Sequence, residues 1–403
     1  MIAIFSYAFG YFRSFFSLLL PQDGRAVSPR SCRRRRAALL LAIYAAWLRG
    51  TWRDKLSLRS WGPRWLARWL ALPLPWLGAA LGVSAETRLD GVTANALATI
   101  GPCVVTLSPH GMGFGHTLLT GPALMKPPLA SLHPLGVAAS AVFAVPLWRE
   151  LLLLMGWREA SPGLAERMLR AGRSVVVLPG GIREMVETAP TQDALRCHPN
   201  LGFVRLALQC GRPLLPVYAF GETQLFRSPD TMLRARRMAA HRWGVGLPLA
   251  TGRFGLPFPL APPLPTKHRL VVGQPLLSGS PCAAAPSKEA VLELYGRWCA
   301  ELLRRLFTAH AHEVLPKAVA ARGRARLDCS ADCEGHFRAG TQRAASAGRF
   351  GPQTGSVEAS WADKPSISTY MCMCMCMCMC ISLHAKSSTK IRFSTLLPRV
   401  LNR

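Results

Sequence analysis

Residues 161–184 read SPGLAERMLRAGRSVVVLPGGIRE, and the order of their parts decides the fold class. Ser161-Pro162 supplies an N-cap and a proline at the first helical position, where a missing N–H costs nothing. The helix they open runs through Glu166 and Arg170 and stops at Gly172. Ser174–Leu178 follows, a short apolar run rich in β-branched residues, of the kind that fills a strand buried on both faces. The glycine pair Gly180-Gly181 then turns the chain into a segment carrying Arg183 and Glu184. Helix, buried strand and glycine turn in this order build an α/β domain.

The same grammar extends outward. Cys103–Leu107, Leu214–Tyr218 and Leu270–Val272 are further strand-like runs. Phe203, Val204, Leu206, Ala207 and Cys210 form a helical stripe that ends at Gly211. Ser287 caps a longer amphipathic helix whose stripe includes Val291, Leu294, Trp298, Leu302 and Leu306. The expected architecture is a mixed sheet flanked by helices.

The flanks differ in character. Met1–Leu20, Ala37–Leu48 and Trp65–Val83 are apolar, and Arg33–Arg36 stands before the second of them. Met1–Leu20 carries Arg13, Ala37–Leu48 is shorter than the roughly 20 residues of a straight span, and Trp65–Val83 holds Arg68, Pro73 and Pro75. Residues 1–85 are therefore expected to be membrane-associated through interfacial, re-entrant or hairpin segments, with Arg33–Arg36 on the cytosolic side. Residues 86–312 form the expected catalytic domain. Residues 313–403 lack periodicity, include the Met371–Cys380 repeat, and read as a disordered tail.

Composition narrows the class further. Hydrophobic residues make up 50% of the 403 residues and charged residues 17%, which excludes a wholly disordered chain. Lys and Arg number 49 against 21 Asp and Glu, a net charge of +28 that calls for an anionic partner. Five of the thirteen cysteines lie in the Met-Cys repeat, the others are scattered, and no Asn-x-Ser/Thr sequon occurs. Both facts favour a reducing compartment, with the bulk of the chain facing cytosol.

Three clusters could carry chemistry. Ser108-Pro109-His110-Gly111 follows a strand directly, which sets an imidazole at the rim of the sheet, where α/β domains bind ligands. Pro179-Gly180-Gly181-Ile182-Arg183-Glu184 also follows a strand; its glycine amides suit an oxyanion or anion nest, Arg183 a phosphate, and Glu184 an orienting or acidic role. A tight strand-to-helix turn with solvated Arg and Glu would read the same way. Gly202–Ala207, with Arg205, leads through Gly211 to Leu215–Glu222.

In this order and spacing the clusters resemble the diacylglycerol acyltransferase type 2 family, which also includes monoacylglycerol and wax-alcohol acyltransferases. The resemblance runs from about Trp61 to Ala309. It is strongest over VFAVPLWRELLLLMGWREAS, LPGGIREMVET and GFVRLALQCGRPLLPVYAFGE, and continues at Arg253-Phe254-Gly255 and Val271–Pro275. It implies a glycerolipid-acyltransferase-like sheet and acyl transfer from acyl-CoA to a neutral glycerolipid hydroxyl, with His110 as general base. On this reading Glu184, or else Glu222, holds the imidazole. The Gly180 and Gly181 amides meet the oxyanion, Arg183 and Arg205 meet the CoA phosphates, and Ala138–Trp148 or Leu151–Met155 line the acyl chain. The resemblance implies no metal or prosthetic group, with acyl-CoA only a co-substrate. It places the protein at the endoplasmic reticulum membrane or a lipid droplet, and allows a homo-oligomer. Three departures stand out. Ser108 replaces the first His of the family's His-Pro-His-Gly, Asn200-Leu201 replaces its basic pair, and Gly115 stands where the wider superfamily has an Asp five residues after its His.

Rival classes fare worse. A serine hydrolase would want Gly-x-Ser-x-Gly, which is absent. A nucleic-acid partner would want a separate basic domain, whereas the basic residues here adjoin apolar segments. Cys329, Cys333 and His336, with His310 or His312, make an imperfectly spaced zinc motif. An inactive, lipid-binding family member is the non-enzyme alternative.

Overall fold

A computed structural model describes residues 29–320 apart from 113–114, 146, 192–200, 229, 244–245, 247, 257, 259–260, 280–284 and 318. The readings of Met1–Leu20, Asn200, the Met-Cys repeat and the Cys329/Cys333/His336 motif lie outside the described residues. The chain divides between Asp54 and Lys55 into two compact units. In the first, a 22-residue helix spans Pro29–Gly50 and carries Arg33–Arg36 in its first half. Among the described residues no helix is long and apolar enough to cross a membrane.

The second unit is built on a seven-stranded sheet. Its strands are β1 (Val83–Leu89), β2 (Val104–Ser108), β3 (Leu135–Ala138), β4 (Trp157–Glu159), β5 (Val175–Val177), β6 (Leu214–Phe220) and β7 (Thr266–Val272), in the spatial order β1-β7-β6-β2-β5-β3-β4. β2, β3, β4, β5 and β6 run in one direction. β7 pairs antiparallel with β6, and β1 follows β7. The carboxyl ends of β2, β5 and β6 therefore meet at one edge of the sheet, where the amino end of β7 also arrives.

The central strands are buried and largely apolar because helices cover both faces. All five residues of β2 and all seven of β6 are buried. Side chains alternate between the faces with the period of two that a strand imposes. Val104, Leu214, Tyr218 and Val271 pack on one face against Leu164, Met168, Val204, Val291, Trp298 and Leu302. Val105, Leu107, Leu215, Val217 and Leu270 pack on the other against Leu97, Leu124 and Leu129. Trp298 Nε1 donates to Thr106 Oγ1 at 2.8 Å, which satisfies a buried hydroxyl within the strand.

The packed body is wider than residues 86–312. The expected boundary at 86 falls inside β1, and Val83 at the start of that strand is buried. Upstream, Lys55 Nζ lies 2.8 Å from Glu159 and donates to Ser140 Oγ at 2.8 Å. Arg158 is fully buried, and its guanidinium donates to the carbonyls of Ser57, Arg59, Leu153 and Trp157. At the other end, Leu315, Val319 and Ala320 join the core past the expected boundary at 313.

Arg158 thus satisfies four backbone acceptors at once. Arg158→Met keeps most of the side-chain volume and leaves those carbonyls without their donor. It should lower stability by about 3 kcal/mol, read as a drop in the denaturation midpoint of the detergent-solubilised protein, while Arg170→Met on an exposed helix face should leave the midpoint unmoved.

Candidate functional site

Two of the predicted clusters come together at the shared strand edge. β2 ends at Ser108, which is buried, and the chain turns so that His110 stands just beyond. β5 ends at Val177, and Gly180 and Gly181 turn the chain into the helix Gly181–Glu187, which returns Glu184 towards β2. Glu184 Oε1 accepts the backbone N–H of His110 at 2.5 Å. Gly180 is required here, because a Cβ at that position would collide with the Glu184 carboxylate.

The imidazole is oriented differently from the expectation. Its Nδ1 lies 3.2 Å from the Gly111 carbonyl, so Nδ1 carries the proton and donates to that oxygen. Among the described residues nothing engages Nε2, which leaves its lone pair available. A carbonyl of the same turn, and not a carboxylate, selects the tautomer; Glu184 acts on the backbone. Burial, reinforced by neighbouring His116, pushes the His110 pKa down to about 4, so the ring is neutral at pH 7.

Behind this turn lies a polar cluster of which the sequence marked only one member. Glu222, in the turn after β6, is fully buried, and its Oε2 accepts from His268 Nε2 at 3.2 Å. His268 comes from β7, which reaches this edge because it runs antiparallel to β6. His116 is also buried; its Nε2 donates to the Pro109 carbonyl at 2.8 Å, and its Nδ1 accepts from Thr120 Oγ1 at 3.3 Å. His116 thereby braces the backbone immediately before His110. Burial alone would raise the Glu222 pKa, but His116 and the hydrogen bond and charge of His268 outweigh it, and the carboxyl is held below its ordinary range. Burial lowers the His116 pKa.

Three expectations need correction. The Gly181 amide donates to Leu178 O at 3.1 Å, closing the turn, so it is not an oxyanion donor. Glu222, the alternative acid for holding the imidazole, is sealed behind the turn, 1% exposed, and bonds His268 and not the His110 ring. Much of the stretch expected to line the acyl chain is core: Phe143, Leu152, Leu153 and Met155 pack with Trp157, while Leu147 is exposed. The apolar side chains adjoining the polar cluster are instead Met112, Met185, Leu225 and Phe226. Arg183 and Arg205 are exposed, as a phosphate-binding role requires. Arg236, which was not singled out, is buried and donates to the Met185 carbonyl next to Glu184, which fixes that helix from behind.

Among the described residues no three His, Cys, Asp or Glu side chains gather as a metal site would need. His310 of the tentative zinc set is engaged with Asp90 at 3.0 Å. His116 and His268 escaped sequence reading for a common reason. No motif surrounds either one, and both reach Glu222 only through the fold: His268 by the reversal of β7 against β6, His116 by the return of the chain after β2.

The depressed basicity of His110 has a direct readout. Diethyl pyrocarbonate acylates only the neutral imidazole, and an ordinary exposed histidine loses reactivity as pH falls through about 6.5. His110, followed by peptide mapping, should keep its plateau reactivity well below that pH and lose it only towards its own lower pKa.

Comparison with known proteins gives a consistent picture. The family described as diacylglycerol acyltransferase matches residues 92–319. The chain is 30% identical over 186 residues to diacylglycerol O-acyltransferase 2 of Dictyostelium discoideum, covering 43% of this chain and 54% of that protein. It is 29% identical over 226 residues to human 2-acylglycerol O-acyltransferase 3, covering 51% and 64%. It is 32% identical over 130 residues to human acyl-CoA wax alcohol acyltransferase 2, covering 30% and 39%. The chain spans about half the length of the curated relatives it matches. Among solved structures, the 1-acyl-sn-glycerophosphate acyltransferase PlsC of Thermotoga maritima aligns with a TM-score of 0.36 at 14% identity, over 66% of this chain and 95% of that one.

Proposed function

From the premise that this chain belongs to the diacylglycerol acyltransferase family, we propose that it transfers an acyl group from acyl-CoA to the free hydroxyl of diacylglycerol, forming triacylglycerol. The observation that carries the reading is a neutral imidazole at the carboxyl edge of the central strand, with its tautomer set by Gly111 and its Nε2 open. Nε2 takes the proton of the acceptor hydroxyl as the oxygen attacks the thioester carbonyl. The new C–O bond forms, the C–S bond breaks, and the same proton passes to the departing sulfur, which regenerates neutral His110 and releases CoA. Glu184 is a positioning residue, holding the amide of His110. The relatives named above act on different acceptors by name, so a monoacylglycerol and a long-chain alcohol belong in the same assay.

His110→Ala should reduce acyl transfer by about 10²- to 10⁴-fold at matched protein level, measured in membranes with labelled acyl-CoA and acceptors separated by thin-layer chromatography. Equal rates for wild type and His110→Ala would end the base assignment. No transfer from wild type to any acceptor would favour an inactive, lipid-binding protein.

The membrane part of the reading rests on a surface. Trp65, Trp69, Leu72, Trp76 and Leu77 are all exposed on two consecutive short helices, Arg64–Ala71 and Pro73–Ala80. Trp65 and Trp69 are four residues apart and so share a face. Tryptophan favours the headgroup level of a bilayer, and the positive charge of the chain favours anionic lipid. The protein is therefore proposed to sit on the cytosolic leaflet of the endoplasmic reticulum by interfacial insertion. The triple variant Trp65→Ser, Trp69→Ser, Trp76→Ser should lower binding to phosphatidylcholine–phosphatidylserine vesicles by about tenfold or more, since each buried tryptophan contributes on the order of 1.5 kcal/mol or above. Unchanged flotation with vesicles would place the membrane contact elsewhere.

A further inference from the structure

Glu222 is enclosed by the very turn that presents His110. A Cβ added at Gly115 would collide with Glu222 Oε2, and one added at Gly111 would collide with its Cγ while standing 3.1 Å from Oε1. The carboxylate therefore lies against both of these glycines, one on either side of residues 113–114 in sequence. His268 holds Oε2. Oε1 is fully buried and has no hydrogen-bond partner among the described residues. A buried carboxylate oxygen with no donor is costly, and it persists where the surroundings hold it there or where a charge arrives during function.

Among the described residues, the titratable groups acting on Glu222 are three histidines: His110 from the loop after β2, His116 from the turn beyond it, and His268 from β7. Two are committed. His116 donates to Pro109 and accepts from Thr120, and His268 already donates to Oε2. His110 stands at the strand edge with Nε2 unengaged among the described residues, and as the proposed base it changes charge when it takes a proton from a bound hydroxyl.

We propose that Glu222, clamped by His268, is the fixed counter-ion that stabilises the His110 imidazolium during acyl transfer, and that it occupies the space a carboxylate side chain at residue 115 would fill. The inference rests on His110 being the base. The proton goes from acceptor hydroxyl to His110 Nε2 and then to the leaving sulfur, while Glu222 stays ionised throughout. His268 is a positioning residue for Glu222, as Glu222 is for His110. A counter-ion buried out of solvent needs no reorganisation when the imidazolium forms, which is where such a charge is most effective.

The test is a transplantation of the carboxylate. Glu222→Gln keeps shape and removes charge; it should lower kcat by about 10²-fold with the KM for acyl-CoA little changed. Glu222→Ala vacates the space that Gly115 borders, and Gly115→Asp in that background returns a carboxylate to it, at the cost of displacing a Leu225 methyl. The double variant should recover at least tenfold of the kcat lost in Glu222→Ala, whereas Gly115→Asp alone, colliding with Glu222, should be impaired. His268→Leu, which spares Glu222 but removes its donor, should lower kcat several-fold and serves if Glu222→Gln does not accumulate.

Wild-type kcat in Glu222→Gln, or in a folded His268→Leu, would overturn the proposal. So would a folded Glu222→Ala, Gly115→Asp enzyme no faster than Glu222→Ala. His110→Ala is run alongside. If it is inactive while Glu222→Gln is fully active, the counter-ion assignment alone is wrong. If His110→Ala retains full activity, the base assignment has failed and takes this inference with it.

Discussion

A carboxylate taken out of water must be met by donors or positive charge, and the burial of Glu222 sets the form of everything near it. Removing a charged group from solvent costs several kcal/mol even after relaxation. The protein offsets that cost with a hydrogen bond from His268 and the nearby imidazoles of His110 and His116, which come from three separate elements. Two of the positions lining the carboxylate are glycines because any side chain there would occupy its volume. The reversal of β7 against β6 follows the same logic, since only an antiparallel neighbour brings residue 268 back to the edge where β6 ends. The loop carrying His110 is thus moulded around an acid that lies more than a hundred residues away in sequence.

The two acids near His110 work at different atoms. Glu184 grips the backbone amide and so fixes where the turn lies. Glu222 makes no hydrogen bond to the imidazole and acts on it through charge. A chain with only the first would hold the ring in place without favouring its protonated form. A chain with only the second would provide charge beside a loop free to shift. The neutral ring keeps its lone pair available because burial and His116 together outweigh the attraction of Glu222.

What could be read in the sequence follows from how locally each feature is encoded. β2, β5, β6 and part of β7 were legible because strands covered on both faces are unbroken apolar runs. β1 was absorbed into an apolar flank, since as an edge strand only its first residue is buried and it shows no alternation. β3 and β4 span four and three residues, too short for a period to emerge. His110 and Glu184 were legible because each follows a central strand by a few residues, where a side chain must reach the sheet edge. His268 lies inside a strand, and a lone histidine there usually means nothing. The acyl-chain assignment went astray at Phe143, Leu152, Leu153 and Met155 because hydrophobicity marks burial without distinguishing a wall from a core. Gly181 went astray similarly: a glycine in a turn is compatible with an open amide, and only the fold reveals that the amide closes the turn.

The position of the tryptophan-bearing surface relative to the acid cluster bears on how a lipid would arrive. The Pro73–Ala80 helix packs on β1 and on the His116–Thr120 turn. Its outer side exposes Leu72, Trp76 and Leu77, while Gly78 is buried on the inner side, where a Cβ would meet the Val83 carbonyl and come within 3.8 Å of Leu119. One short helix therefore separates the proposed bilayer contact from the turn that braces Pro109 and His110. Diacylglycerol has no charged head and stays within the bilayer, so an enzyme using it gains by keeping its base at the depth of the headgroups, with no need to extract the lipid into water. Acyl-CoA differs: its phosphates would remain in solution, on the side to which Arg183 and Arg205 are exposed. On this reading the two substrates approach from different phases, and the edge of the sheet where β2, β5 and β6 end is the boundary between them.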